Sequence, residues 1–391
     1  MANIINLPIS IGEGLDKLTI LDIKMKKIKD ERLNDVKKEY NILNSQLQDY
    51  RNNYYFFYNI LMNINENIWD MQDIFRETKS IETQNELCKK IISENDNRFR
   101  VKKKINNLTN SALKEQKGYH PKVAFVKTQQ GIGDNICAIG MIRYLSTQYD
   151  KVLVPCRHPN KKNMELFYSD DNDIILIEHY HDKEVSPNAG CSKEDFKKLT
   201  NGMDLYMCGG HRIDNNLNKL SHHSWTELPI CHYKDVNINI NYFWEYFYIA
   251  NNNYSKEIFN NFLFKNNYIF IHNKSSNGED FSMDYISKKF NIDKNTTIFI
   301  NPDINYYSSK NKFYNTAKSF LNLPIIYYVD IIINANSIFM TDSCFFCLAL
   351  NLPIVTKQCY YKGRHNRNYQ HMFKNIELLN SLNKPIFKQF N

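Results

Sequence analysis

The sequence predicts an α/β protein carried behind an all-helical N-terminal module, and three observations lead there. An apolar seam at helical spacing occupies the early part of the chain. The segment "KEQKGYHPK" then brings the first glycine and proline after a long gap and marks a boundary. Beyond it, short β-branched runs alternate with helical spans, the pattern of βαβ units that build a parallel sheet. A chain of 391 residues has room for two or three cores, since domains hold about 100 to 200 residues. The expected divisions are 1–116, 117–250 and 251–391.

Within the first module, Leu33, Val36, Tyr40, Leu43, Leu47, Tyr50, Tyr54, Phe57, Leu61, Ile64, Ile68 and Met71 follow an alternating three-four spacing. That is the seam of one long helix or of two in register. The cluster "YRNNYYFFY" is where it would break, and "ELCKKIISENDNRFRVKKKINNL" continues the helical pattern. A helical hairpin or bundle is expected, and such seams pack helices or pair two copies of a chain, so a homodimer through these helices is anticipated rather than chemistry.

The runs "KVAFVKT", "KVLVP" and "DIILIEH" read as strands of a first α/β half. The pattern restarts after Tyr254 with "NYIFIHN", "TTIFINP", "IIYYVDIIINAN", "SIFMTDS" and "LPIVTK", giving a second half joined near residues 240–255. An aromatic content of 14% and a hydrophobic content of 42% exclude general disorder. Nine cysteines without dense spacing point to a reducing compartment. The N-terminus lacks a basic start followed by an apolar core, and the longest apolar stretch, "LPIIYYVDIII", is interrupted by Asp330 and too short for a bilayer. A cytoplasmic protein without a transmembrane segment is expected. The net charge of +8 is modest; from Lys357 to Lys388 seven Lys or Arg face one acid, Glu377. No recognisable module accompanies that basic tail, so nucleic acid is not an expected partner, whereas Lys362, Arg364 and Arg367 suit phosphates.

"VKTQQGIGDNI" runs a strand into a Gly-x-Gly turn and a helix, a corner where backbone can approach a ligand. Two common readings fail. A dinucleotide site needs a third glycine where Ile136 stands and an acid closing the next strand, which "KVLVPCRHP" lacks; the missing acid also disfavours a methyltransferase. A P-loop needs Gly-Lys-Ser/Thr, but Gly133 is followed by Asp134. An aspartate at a helix start stays ionised and can take a proton from a hydroxyl, although Asp is equally a preferred helix cap. A second corner follows the strand Ser337–Met340, where Thr341, Asp342 and Ser343 precede a small apolar helix and a further strand at Pro353. Its N–H groups and hydroxyl suit a diphosphate, as do Lys274 and Ser275 just after another strand.

Histidine and cysteine are concentrated between Cys156 and His232, yet only Cys208 and His211 have local metal-ligand spacing, so no metal site is expected. Cys344 and Cys347, beside Phe345 and Phe346, read as core rather than as a redox pair.

The two corners resemble a known family. "FVKTQQGIGDNICAIGMIRYLSTQYDKVLV" and "FMTDSCFFCLALNLPIV" are similar to the opening and a later segment of bacterial heptosyltransferases. The resemblance spans residues 120–391 in outline and implies two facing Rossmann-like domains of GT-B type, with the acceptor on the first and the nucleotide-sugar on the second. It implies a glycosyltransferase, inverting and without metal or cofactor, that moves a sugar from a nucleotide-sugar to a hydroxyl of a glycan or other acceptor. Asp134 falls on the family's proposed base, with Gly131 and Gly133 as its turn. The donor-phosphate turn falls on Asp342, Ser343 and Cys344, joined by Lys274, Ser275 and Arg364. Cys344 replaces the family's glycine and Cys347 its histidine, and these departures leave a second reading: a catalytically inactive scaffold of transferase fold with a helical oligomerisation arm. Separately, "LPISIGEGLDKLTILDIKMKKI", "NENIWDMQDIFRE" and "ENDNRFRVKKKINNL" resemble a helical family of unknown function associated with bacterial glycan proteins.

Overall fold

The structure, a computed structural model, describes residues 7–390 except 119, 130, 251–252, 263–265, 276–280, 304–308, 311, 364–366 and 368. The chain divides into two compact units, one of Met1–Val123 with Leu145–Lys151, the other of Ala124–Tyr144 with Val152–Asn391.

The first unit is built on four helices, α1 (Ile11–Lys27), α2 (Leu33–Asn53), α3 (Tyr55–Glu77) and α4 (Ile81–Leu108). Ser10 caps α1 by accepting from the Glu13 N–H at 3.1 Å. The apolar seam breaks where the aromatic cluster suggested: Tyr54, at φ −114° and ψ 34°, leaves the helical region between α2 and α3. Leu15, Leu18 and Leu21 of α1 are buried with Phe57, Leu61 and Ile64 of α3. Helices α1 and α4 meet at Gly12, whose N–H donates to Asn106 Oδ1 at 2.7 Å; a Cβ there would lie 2.6 Å from the Lys102 carbonyl. Asp16 is buried and accepts from Asn65 at 2.7 Å, while Lys102 pairs with Glu13 and Glu115 at 2.7 Å each. These charges are satisfied inside the helical unit, as burial requires.

The second unit holds two sheets. In the first, β1 (Val123–Lys127), β2 (Lys151–Arg157), β3 (Ile174–His179) and β4 (Asp204–Met207) lie in the order β3-β2-β1-β4. Strands β1 and β4 pair in parallel, as do β2 and β3. Helices α5 (Ile132–Cys137) and α6 (Ile139–Gln148) connect β1 to β2, and α6 contributes its last residues to the helical unit. Gly140 of α6 has no room for a side chain, since a Cβ would stand 2.2 Å from the Tyr242 carbonyl. Arg143, fully buried on α6, is anchored by Asp170 at 2.5 Å and by the Phe167 carbonyl at 2.9 Å.

The second sheet runs β6-β5-β7-β8-β9, from β5 (Tyr268–His272), β6 (Ile298–Ile300), β7 (Ser337–Thr341), β8 (Cys359–Lys362) and β9 (Lys388–Gln389). Every neighbouring pair in it is parallel. Strand β7 is buried along its whole length, the continuous apolar run expected of a covered parallel strand. Phe339 packs there with Ile269, Ile271, Phe299 and Phe390.

Two strands expected from the sequence are corrected. "IIYYVDIIINAN" forms a 3-10 turn, Ile325–Tyr328, and a helix, Val329–Ile333. A short apolar run does not tell a buried helix from a strand, and here Tyr328, Ile331 and Ile332 are all buried at helical spacing. "LPIVTK" is not a strand either: Pro353 brings no N–H to a ladder, Val355 is 75% exposed, and the strand begins later, at Cys359. Strand β4 carried no clear sequence signal.

Candidate functional site

Each sheet has a point where the chain leaves in opposite directions from neighbouring strands, between β1 and β4 in the first and between β5 and β7 in the second. Ligands of open α/β sheets bind outside the carboxyl ends of the strands at such points. The turns following β1, β5 and β7 line one cavity of about 260 Å³. Gly131, Gly133, Asp134, Lys274, Asp342, Ser343 and Cys344, residues singled out in the sequence, all face it, together with His272, Arg367 and Tyr369. Ser275 is buried and is not among the described lining residues. Arg364 lies outside the described residues.

The first corner is ordered by its own polar groups. Thr128 donates to Asn135 Oδ1 at 2.8 Å, and Asn135 donates back to the Gly131 carbonyl at 3.1 Å. Asp134 Oδ2 accepts from the Gly131 N–H at 3.2 Å, half of a capping box that glycine, lacking a side chain, cannot complete. Capping and a cleft-facing role therefore coexist in this carboxylate, which is 25% exposed and whose Oδ1 lies 3.9 Å from His232 Nε2. The second corner lies beside Gly133: a Cβ on it would stand 3.6 Å from the Cys344 nitrogen and 3.7 Å from Cys347 Sγ, ordinary contact distances.

At the second corner Ser343 begins the helix Cys344–Ala349 but makes no side-chain cap bond. Its hydroxyl is turned instead to His272 Nδ1, 2.8 Å away at the end of β5. Burial pushes the His272 pKa down to about 4, so this imidazole is neutral near pH 7 and the pair is a hydrogen bond between uncharged groups. Asp342 is buried and accepts from the Tyr369 hydroxyl at 2.8 Å and from Arg367 at 3.1 Å. Its carboxylate thus fixes the Arg367 guanidinium at the cavity wall. Lys274 is half exposed, its Nζ 3.9 Å from Asp303. The cavity accordingly has the Asp134 carboxylate on one wall and, on the other, two cations and a hydroxyl together with the Asp342 carboxylate that pairs with Arg367.

Cys137 and Cys347 meet between the corners, their thiols hydrogen-bonded to each other, a contact that together with burial raises the Cys137 pKa. Burial pushes the Cys344 thiol up to about 12, so it is uncharged and unreactive at neutral pH. Cys208 donates to the His232 carbonyl at 3.5 Å and His211 sits 2.8 Å from the Ser186 hydroxyl. Among the described residues no group of three His, Cys, Asp or Glu is placed to hold a metal ion.

Sequence reasoning missed His272, Tyr369, Cys137 and His232. His272, at the end of the strand that leads to Lys274, and Cys137, on the helix that carries Asp134, stand within the motifs already singled out. Tyr369 and His232 come from separate segments.

Residues 5–130 match a family described as a family of unknown function, DUF6165, which covers the four helices, strand β1 and the start of the turn after it. No curated protein and no solved structure matches the chain. No helix among the described residues is long and apolar enough to cross a membrane.

Proposed function

We propose that the cavity is the reaction centre of a glycosyltransferase, built from two facing Rossmann-like domains as in the bacterial heptosyltransferases that the corner motifs resemble. One observation carries the reading: the strand-end turns of both sheets meet at a single cavity, with the Asp134 carboxylate on one wall and Lys274, Arg367 and the Ser343 hydroxyl on the other. A nucleotide-sugar presents its diphosphate to Ser343, Lys274 and Arg367, which offset the charge that grows on the leaving group. The acceptor hydroxyl lies on the Asp134 side. Its oxygen attacks the anomeric carbon, the bond from that carbon to the phosphate oxygen breaks, and the nucleoside diphosphate leaves with the electron pair. The hydroxyl proton passes to the Asp134 carboxylate, and the single displacement inverts the anomeric centre. Asp342 acts by holding Arg367. At about 260 Å³ the cavity lies just below the roughly 300–1,000 Å³ of most ligand sites, a size for the reacting centre rather than for both whole substrates.

A scaffold without activity is the second reading, favoured by Cys344 and Cys347 at the positions where the resemblance implies glycine and histidine. Thermal denaturation with UDP, GDP, ADP, CMP and dTDP, with S-adenosylmethionine and NAD as controls, separates the two. A diphosphate at 100 times its dissociation constant stabilises by about 2.7 kcal/mol, an upward change of a few degrees in Tm, and Ser343→Tyr should abolish it by filling the cavity. No change with any nucleotide would sink the transferase and leave the scaffold.

A further inference from the structure

His232 is the residue that the proposed reaction leaves unused. It is fully buried on the short helix Ile230–Asp235, and neither ring nitrogen has a hydrogen-bond partner among the described residues. Leaving a buried polar group without a partner is costly, so its surroundings call for a reason. Apolar packing accounts for one side, where Trp225 stands edge-on with ring centroids 6.3 Å apart. The nearest acid on its own helix, Asp235, is committed elsewhere: it accepts from the Gly209 N–H at 2.7 Å and faces His223 Nδ1 at 2.8 Å. What remains is Asp134, whose Oδ1 lies 3.9 Å from Nε2. Its other oxygen is already fixed by Gly131.

We infer that His232 is the positioning residue of Asp134: its Nε2–H closes onto Oδ1 when the acceptor enters, holding the carboxylate aimed at the acceptor hydroxyl. The gap is about 1 Å longer than a hydrogen bond, within reach of a small rotation of the carboxyl group. The imidazole does not take the proton. It stays neutral, because burial lowers its pKa and the charges of Arg367 and His222 work in the same direction, against Asp134 and Asp235. A neutral imidazole facing a carboxylate has to place its single N–H on the nitrogen nearest that carboxylate. The role of Asp134 as base rests on the transferase reading; the tautomer does not.

The test is the ring ¹⁵N spectrum of His232 in the full-length protein near pH 7, assigned by the signal lost in His232→Gln. Contacts to the Trp225 ring assign it without substitution should that variant fail to fold. The expected result is the Nε2–H tautomer in the wild type, with the Nδ1–H form gaining population in Asp134→Asn. The Nδ1–H tautomer in the wild type, or a tautomer indifferent to Asp134→Asn, overturns the pairing. Turnover of the nucleotide-sugar whose diphosphate stabilises the protein then tests the positioning role: His232→Leu should lower kcat by up to about 100-fold with the donor KM unchanged, and His232→Gln, which keeps an N–H, should restore most of it. Equal losses in the two variants would overturn it. A diphosphate screen without any change in Tm would instead remove the transferase reading and leave the Asp134–His232 pair standing on the spectrum alone.

Discussion

The corners after β1 and β7 share a plan, a strand passing through a tight turn into a short helix, and differ in what their capping side chains do. Asp134 reaches back and accepts from the Gly131 N–H. Ser343, the residue type that ordinarily caps a helix start, does not cap at all and gives its hydroxyl to His272. The first corner therefore places a carboxylate at the cavity, and the second a hydroxyl flanked by Lys274 and by the Asp342–Arg367 pair. The same strand-turn-helix plan thus serves different electrostatic ends, and the side chains at the turn decide which. Under the proposed reading, an acid can stand in the first turn because the phosphates are assigned to the other corner.

Exchanging the charge of the first corner should have the largest effect. Asp134→Asn removes the proposed base and is expected to lower turnover by about 100- to 10,000-fold while leaving the stabilisation given by a diphosphate intact. Loss of that stabilisation in Asp134→Asn would erase the division of labour between the corners.

Acid should act on the second corner next. The His272 pKa is lowered to about 4 from an ordinary 6.5, so its neutral, bonded form stabilises the fold fully above pH 6.5, and that stability is lost as pH falls toward 4. A tenfold difference in proton affinity between the folded and unfolded chain is worth about 1.4 kcal/mol, placing the loss on the order of 3 kcal/mol. Urea denaturation at several pH values should show a shallower slope across this window in His272→Gln than in the wild type. Identical slopes would mean that the imidazole is not held neutral by the fold.

Arg367→Leu comes third. A charge-assisted hydrogen bond contributes roughly 1.5–3 kcal/mol, so diphosphate affinity measured by titration calorimetry should fall about 10- to 100-fold, with no change in affinity for an uncharged acceptor. The smallest effect is expected at the contact between the corners. A Cβ on Gly133 would meet Cys344 and Cys347 at 3.5–3.7 Å, ordinary van der Waals distances. Gly133→Ala should then be neutral or stabilise α5 by up to about 1 kcal/mol, read as an unchanged or slightly raised Tm. Strong destabilisation would show that the glycine serves the packing of the two corners rather than the space beside them.

Much of this arrangement was legible in the sequence where the signal is local. The helical seam, its break at Tyr54 and the strand-turn-helix corners at Gly131 and Ser343 each sit in a continuous stretch of chain. The helix at Val329–Ile333 was misread because a run of isoleucines satisfies either period when both faces are covered. His272, Tyr369 and His232 are drawn together only by the crossovers of two sheets, and spacing along the chain carries no trace of that. The hydrogen bond from Tyr369 to Asp342 spans 27 positions, and the approach of His232 to Asp134 joins segments on either side of β2, β3 and β4.

Helix α6 begins in the α/β unit and ends in the helical one. Asn97 of α4 donates to Gln148 at 2.9 Å, and Arg100 pairs with Asp150 at 3.3 Å, so the helical unit closes on residues the chain supplies only after the first strand and turn of the other unit. A single recombination crossover in the gene would split one of the two, since the helices cannot be traded for another arm without also carrying Leu145–Lys151. Exchanging the helical arm for another therefore means matching that segment of the α/β part as well.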